Sequence, residues 1–407
     1  MGYSKQAVYN ATGIIVSAFC QWLIIMIIPK ITTYSDAGVF AASISICSIL
    51  NIIATFSLNQ LQISDQYNKY SENEYLIARL ITITISFLCI IPIVFFLNYD
   101  EKQILSIVIY MIYRNFLHLS YHYTATLQFY DKLDYVGIIT VIEGIISFIS
   151  FTTTFIITNN LPLSILVMTI FGGGLFLLMV LTGYKKYTGN SIKITFKTKY
   201  TKKLLSIGIP LLFASITPLI ITALPKIILQ YYWGDDTLGI FSTISSPTIA
   251  IPLMVTSAFL PFITYFSNIA KNGNFPLLKK QYTKVLIALI ILGLLALIIS
   301  LLFAKMSFNL IYGNELDDYI DYFHILVIGV VFYSIGLCGT SVLITKNQGR
   351  LSAYTTAIVL LLSAIIFIAM IPSEGLYGAS YGLLYAYFIY GIMISVCVYI
   401  APLNSCQ

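Results

Sequence analysis

Twelve long apolar runs, spaced along the whole chain, constrain what this sequence can fold into more than any other feature. Each run is long enough, as a helix, to cross a hydrocarbon core about 30 Å thick. Only 9% of the residues are charged, against about 25% in soluble domains, and the runs lack the period-two alternation of a membrane β-barrel. We therefore predict an all-α polytopic integral membrane protein with twelve transmembrane helices, at 11–29, 37–58, 76–97, 104–129, 135–157, 163–183, 204–228, 238–266, 285–303, 319–344, 351–371 and 376–400.

The distribution of basic residues between the loops predicts how the spans are oriented. If Met1 faces the cytoplasm, 17 of the 22 lysine and arginine residues belong to the N-terminal segment and the loops after even-numbered spans. Arg79 is counted with these loops, because "SENE" just before it predicts a helix-capping box. The opposite loops hold three basic residues. Basic short loops stay cytoplasmic, so both termini are predicted to be cytoplasmic.

A short internal repeat predicts that the spans form two halves. The tripeptide 29–31, Pro-Lys-Ile, recurs at 225–227, and Asp, Gly and Phe residues follow each copy at similar spacing. Parallel six-span repeats with a binding site between them are a transporter architecture. We therefore predict two six-helix halves around a central cavity, joined by a basic cytoplasmic linker: 1–190, 191–203 and 204–407.

The fourth span contains basic side chains where hydrocarbon-facing residues are expected. Arg114, His118 and His122 are spaced at i, i+4 and i+8, so they lie on one face of a helix. An arginine at the membrane centre costs about 2.5–3.5 kcal/mol on insertion scales, and this face is therefore expected to meet protein, water or an anion. Glu143, in the fifth span, is the one acidic residue well inside the membrane and the natural ion-pair partner of Arg114.

Three interpretations of this basic face remain open on the sequence. In the first, an Arg114–Glu143 ion pair joins the fourth and fifth spans, and the histidines bond to the backbone. In the second, the basic face lines a cavity that accepts an anionic substrate. In the third, His118 and His122 relay protons, since an unperturbed histidine titrates near neutral pH. The second and third interpretations are compatible with each other.

Further polar residues complete the predicted site. Lys226 is expected at its outer mouth, and Gln21 and Asn51 are expected to line it. Asp321 and His324, near the outer end of the tenth span, are candidates for coupling. H+ and Na+ are the candidate coupling ions.

Other classes of site are not indicated. The sequence offers no nucleophile–base pair, no metal-ligand spacing and no large extramembrane loop, so we expect neither an enzyme nor a resident cofactor or metal, and no nucleic-acid partner. The glycine run 172–174 is expected to serve close helix packing, because no GK[ST] follows it. The 31 tyrosines exceed what membrane-interface anchoring requires, and the excess suits contacts with sugars.

The first cytoplasmic loop, "LNQLQISDQYNKYS", is similar to an R-x-Y-Q-x-S-D stretch found in part of one transporter family. Gln62, Ser64 and Asp65 are retained, whereas Asn59 and Leu61 stand at the Arg and Tyr positions. Together with twelve spans in two halves, this motif makes the chain resemble the polysaccharide flippases of the multidrug/oligosaccharidyl-lipid/polysaccharide exporter superfamily, and more closely the O-antigen and capsule repeat-unit flippases of the Wzx type.

This resemblance implies a MATE-like fold in the bacterial inner membrane. It also implies transport of undecaprenyl-diphosphate-linked oligosaccharides from the cytoplasmic to the periplasmic leaflet by alternating access, for O-antigen (lipopolysaccharide) or capsule synthesis. The lipid bilayer and this lipid-linked oligosaccharide would be its partners, with the glycan polymerase and the chain-length regulator as further candidates. On the chemistry of the residues, Arg114 is the expected contact for the diphosphate or an acidic sugar.

Two other functions are compatible with twelve apolar spans. A cation-coupled multidrug antiporter of the same fold would need acidic residues in its cavity, where this sequence places basic ones and Glu143 alone. A membrane glycan polymerase or ligase would carry a sizeable outer loop, and the outer connections here have only about four to fifteen residues.

Overall fold

A computed structural model describes residues 3–56, 58–64, 70–97, 99–189 and 201–401. Over these residues the chain is helical, with short 3-10 and π segments and no strands. Its fifteen α-helices are α1 (Tyr3–Ile31), α2 (Tyr34–Thr55), α3 (Leu58–Ser64), α4 (Glu72–Leu88), α5 (Ile90–Leu97), α6 (Glu101–Phe129), α7 (Leu133–Thr158), α8 (Leu161–Met168), α9 (Leu175–Thr188), α10 (Thr201–Ser245), α11 (Ala250–Lys271), α12 (Phe275–Tyr312), α13 (Ile320–Thr345), α14 (Gly349–Glu374) and α15 (Leu376–Ile400).

Eleven helical stretches among the described residues are long and apolar enough to cross a membrane. Ten of them each match one predicted span. The eleventh, Pro218–Phe259, has 42 residues and contains a break at Gly234, where φ is 79° and ψ is 179°. Glycine alone adopts this backbone conformation readily. The break separates the predicted seventh and eighth spans, and the predicted all-α, twelve-span fold is confirmed.

Two segments differ from the prediction. The predicted loop after the second span contains the helix α3, because Leu58 and Gln62, four residues apart, are both buried. The predicted span 285–303 is too short, since α12 has 38 residues. Hydropathy marks where a helix crosses hydrocarbon, whereas lysine-rich flanks, being good helix formers, extend the helix into water.

The described residues form two compact units, Met1–Ile216 and Thr217–Gln407. In the first unit α6 packs against α2, α4 and α9, and α1 packs against α7. In the second unit α13 packs against α11, α12 and α15. The boundary lies inside α10, later than the predicted start of the second half at residue 204. Most of the predicted linker 191–203 lies outside the described residues.

Glycines set the close approach of helices in the first unit. A Cβ atom on Gly137 of α7 would lie 2.3 Å from the carbonyl oxygen of Tyr9 in α1. A Cβ atom on Gly144, two turns further along α7, would lie 2.6 Å from Cα of Ser17. In the glycine run 172–174, a Cβ atom on Gly172 would lie 2.1 Å from Oγ of Ser147. Close helix packing at the glycine run is therefore confirmed.

This packing predicts a position-dependent effect of glycine substitution. Gly137→Ala should destabilise the protein by about 1–3 kcal/mol, because its methyl group has to displace the backbone of α1. Gly349→Ala is the matched control, since a Cβ atom there has no neighbour within 4 Å. Thermal unfolding of both variants in detergent checks the prediction. Equal unfolding temperatures for the two variants would contradict the close approach of α1 and α7.

Candidate functional site

A cavity of about 90 Å³ lies inside the first unit, between α1, α2, α6, α7 and the segment from α8 to α9. Gln21, Arg114 and Glu143, which the sequence predicted as site residues, all line it. Since one water needs about 10–15 Å³ of a cavity measured in this way, the cavity has room for several waters or one small charged group. An oligosaccharide does not fit into it.

Hydroxyl groups from three helices hold the carboxylate of Glu143. Tyr113 of α6 donates to Oε1 at 2.5 Å, and Ser147, one turn along α7, donates to the same oxygen at 3.0 Å. Ser17 of α1 donates to Oε2 at 2.9 Å. Glu143 itself is 3% exposed. Buried carboxylates need such donors, and this network joins α1, α6 and α7.

The predicted ion pair between Arg114 and Glu143 is wrong. Among the described residues the ion pairs are Lys102–Asp36 and Lys305–Asp317, and the Nε atom of Arg114 is buried without a hydrogen-bond partner. The physical reason is that three neutral hydroxyls already satisfy the Glu143 carboxylate. Arg114 therefore faces the cavity as a cation without an acidic partner in the described part of the chain.

The two histidines of the basic face contact a different part of the first unit. Each is 1% exposed, and neither is among the residues that line the cavity. Nε2 of His118 lies 2.8 Å from Oδ1 of Asn51 in α2, so Asn51, predicted as cavity lining, bonds to His118 instead. The carbonyl oxygen of His122 accepts from the side-chain amide of Gln62 at 3.2 Å.

Arg79 was assigned to a cytoplasmic loop, and this assignment is wrong. The capping box at Ser71 is present, and α4 begins directly after it, so Arg79 lies two turns inside the helix. Its side chain is 0% exposed. Nη1 donates to the carbonyl oxygen of His118 at 2.9 Å, and Nη2 donates to Oδ1 of Asn59 at 2.5 Å. Counting from the capping box would have placed Arg79 inside the helix and not in the loop.

The remaining predicted residues are in the second unit. Lys226 is half-buried on α10, and Asp321 is exposed at the start of α13. Nδ1 of His324 lies 3.0 Å from Oγ of Ser300 and links α13 to α12. Of the loop motif, Gln62 is buried on α3, and Asp65 lies outside the described residues.

None of the three hydroxyl donors to Glu143 was predicted, but Ser17 and Ser147 carried a usable signal. Ser17 and Gln21 are four residues apart on α1, and Ser147 is four residues after Glu143 on α7. Polar residues at this spacing lie on one helix face, so each pair could have been recognised as lining the same site. No group of three His, Cys, Asp or Glu residues that could hold a metal is found among the described residues.

The geometry of the cavity predicts opposite effects on stability when Glu143 and when Arg114 is removed. Glu143→Ala should destabilise the protein by at least about 1–3 kcal/mol, because buried hydroxyl donors lose their acceptor. Arg114→Met should leave stability unchanged or raise it, because removing a buried cation that has no ion pair relieves a desolvation penalty. Thermal unfolding of each single variant and of the double variant checks this. If both single variants lose similar stability and the double variant recovers it, Arg114 and Glu143 do form an ion pair.

Comparison with known proteins places the chain among polysaccharide-related membrane proteins. The family model described as "Polysaccharide biosynthesis protein" matches residues 4–270. The capsular polysaccharide biosynthesis protein CapF of Staphylococcus aureus is 26% identical over 377 residues, which cover 91% of this chain and 93% of CapF.

Solved structures share the fold at low sequence identity. The lipid II flippase MurJ in an inward closed conformation has a TM-score of 0.74 and 14% identity, covering 96% of this chain and 86% of MurJ. An inward-facing multidrug resistance transporter of the MATE family has a TM-score of 0.68 and 14% identity, covering 98% of this chain and 94% of that one. These similarities establish the fold alone.

Proposed function

The chain belongs to the polysaccharide biosynthesis protein family, and from this premise we propose that it is a flippase for undecaprenyl-diphosphate-linked oligosaccharide repeat units. It would move them from the cytoplasmic to the periplasmic leaflet by alternating access. Its family and its structural neighbours are transport proteins rather than enzymes. Because the curated relative CapF is a capsular protein, we favour capsule over O-antigen synthesis as the pathway that it serves.

One observation carries this proposal: the cavity of the first unit contains a cation that is free to bind an anion. The single acidic residue on its lining, Glu143, is occupied by three hydroxyl donors, while Arg114 has no acidic partner in the described residues. A guanidinium group matches phosphate oxygens with two parallel N–H donors. The small volume suits one charged group, so we assign the diphosphate, and not the glycan, to Arg114.

The same observation disfavours the cation-coupled antiporter. An available carboxylate favours the binding of an organic cation in a desolvated cavity. Both oxygens of Glu143 accept hydrogen bonds, and the guanidinium of Arg114 lines the same cavity. A cationic substrate would meet repulsion there rather than a counter-ion.

Orientation and coupling complete the proposal. We place the protein in the bacterial inner membrane with both termini in the cytoplasm, on the strength of the basic loops. As the proton-coupling route we propose His118, which bonds to Asn51 and lies one turn from Arg114 on α6.

Leaflet exposure of a lipid-linked oligosaccharide in vesicles tests the function. Wild-type protein should raise the exposed fraction, and Arg114→Ala should reduce the rate by at least about tenfold, since it removes a bidentate charged contact. Arg114→Lys should retain an intermediate rate. Lys305→Ala is the matched control, because this lysine pairs with Asp317 and does not line the cavity. Export of a cationic dye without oligosaccharide movement would instead support the antiporter.

The pH dependence of the same assay tests the coupling route. If protons drive transport through these histidines, the double variant His118→Ala/His122→Ala should show a flatter dependence of rate on pH than the wild type. His324→Ala should keep the wild-type profile. The reverse outcome would assign coupling to His324, and unchanged profiles in both variants would remove these histidines from the mechanism.

A further inference from the structure

The exposed face of α15 changes its chemistry half-way along the helix. Its first half carries Tyr377, Tyr381 and Tyr385, of which the first and last are 43% and 44% exposed. Its second half continues on the same face with apolar side chains alone, which are 43–75% exposed: Phe388, Ile392, Val396 and Ile400. One helix face thus meets two different environments.

The three tyrosines form a continuous ladder of aromatic rings, which we call the tyrosine ladder. The ring centroids of Tyr377 and Tyr381 are 4.2 Å apart, and those of Tyr381 and Tyr385 are 6.2 Å apart. The ring planes are inclined by 33° and 45°. No hydrogen bond from their three hydroxyl groups is found in the described part of the chain. The ladder therefore offers ring surface together with free donors and acceptors.

Anchoring at the membrane interface explains only the first of these residues. Tyrosines of an aromatic belt lie at the level of the lipid headgroups, and Tyr377, the second residue of α15, is expected there because a predicted span begins at this point. Tyr385 lies about 12 Å further along the helix, since each residue rises about 1.5 Å. A hydroxyl at that depth has no partner in lipid and is costly to desolvate. The second half of this face carries the apolar side chains that are expected where a helix contacts lipid.

We propose that the tyrosine ladder binds sugar rings of the lipid-linked oligosaccharide. A pyranose ring presents C–H groups on its faces and hydroxyls around its edge, which match an aromatic ring that bears a hydroxyl. Tyrosine supplies this kind of contact at a low conformational-entropy cost, because its side chain has only two rotatable angles. This inference rests on the proposed function, in which the substrate carries a glycan.

Direct binding tests this assignment with two probes that share a lipid. One is undecaprenyl diphosphate bearing a tetrasaccharide, and the other is undecaprenyl diphosphate bearing a single N-acetylhexosamine. In Tyr381→Leu/Tyr385→Leu the Kd for the tetrasaccharide probe should rise about tenfold, as expected for two lost aromatic contacts. The Kd for the monosaccharide probe should change little. Tyr381→Phe/Tyr385→Phe keeps the rings and should give a smaller rise.

Phe388→Leu is the control on the same exposed face, and it should bind both probes like wild type. All variants should unfold near the wild-type temperature, since the changed residues lie on the outside of α15. Equal loss of affinity for both probes, or unchanged affinity for both, would overturn the ladder as a glycan site. The latter result would leave lipid contact as its role.

Flipping by the same variants separates this inference from the proposed function. Wild-type protein that prefers the tetrasaccharide probe but moves neither probe would refute the flippase and leave the ladder intact. Wild-type protein that moves the tetrasaccharide probe, with equal rates in the leucine variants, would keep the flippase and refute the ladder.

Discussion

An arginine in a predicted membrane span, without an acidic partner in the described part of the chain, is the constraint around which the first unit is arranged. Hydrocarbon does not tolerate an isolated charge, so Arg114 needs a cavity, and the surrounding helices provide one of about 90 Å³. The carboxylate that could have neutralised it is held by hydroxyls from α1, α6 and α7. The cavity therefore contains a guanidinium that no described acidic residue pairs with, and such a group is suited to a diphosphate.

Arg79 shows the other way in which this unit holds a cation. Its guanidinium bonds to two neutral oxygens, the side chain of Asn59 and the backbone of His118, so it connects α3 and α4 to α6. It is fully buried, whereas Arg114 faces a cavity. Arg79 thus positions the segment of α6 that carries His118, whereas Arg114, on α6 itself, lines the cavity.

The sequence predicted the membrane-spanning helices well, because hydrocarbon imposes a length and an apolar composition that hydropathy reads directly. It also placed Arg114, His118 and His122 on one helix face, since that follows from helical spacing alone. It failed to predict which neighbouring side chain contacts a buried charged group, because that depends on tertiary packing. Opposite charge suggested Arg114 as the partner of Glu143, but the hydroxyls of Tyr113, Ser17 and Ser147 lie closer. The sequence also failed to place Arg79, because a charge near a span edge suggests a loop, whereas α4 already begins at Glu72.

Stabilisation of the protein by its lipid carrier tests the central claim, that Arg114 is a free anion site, most directly. A ligand that binds the folded state raises the unfolding temperature. Undecaprenyl diphosphate should raise that of wild-type protein, uncharged undecaprenol should not, and Arg114→Gln should lose the response to the diphosphate. An equal response to the diphosphate in Arg114→Gln would show that the anion binds elsewhere and would contradict the account.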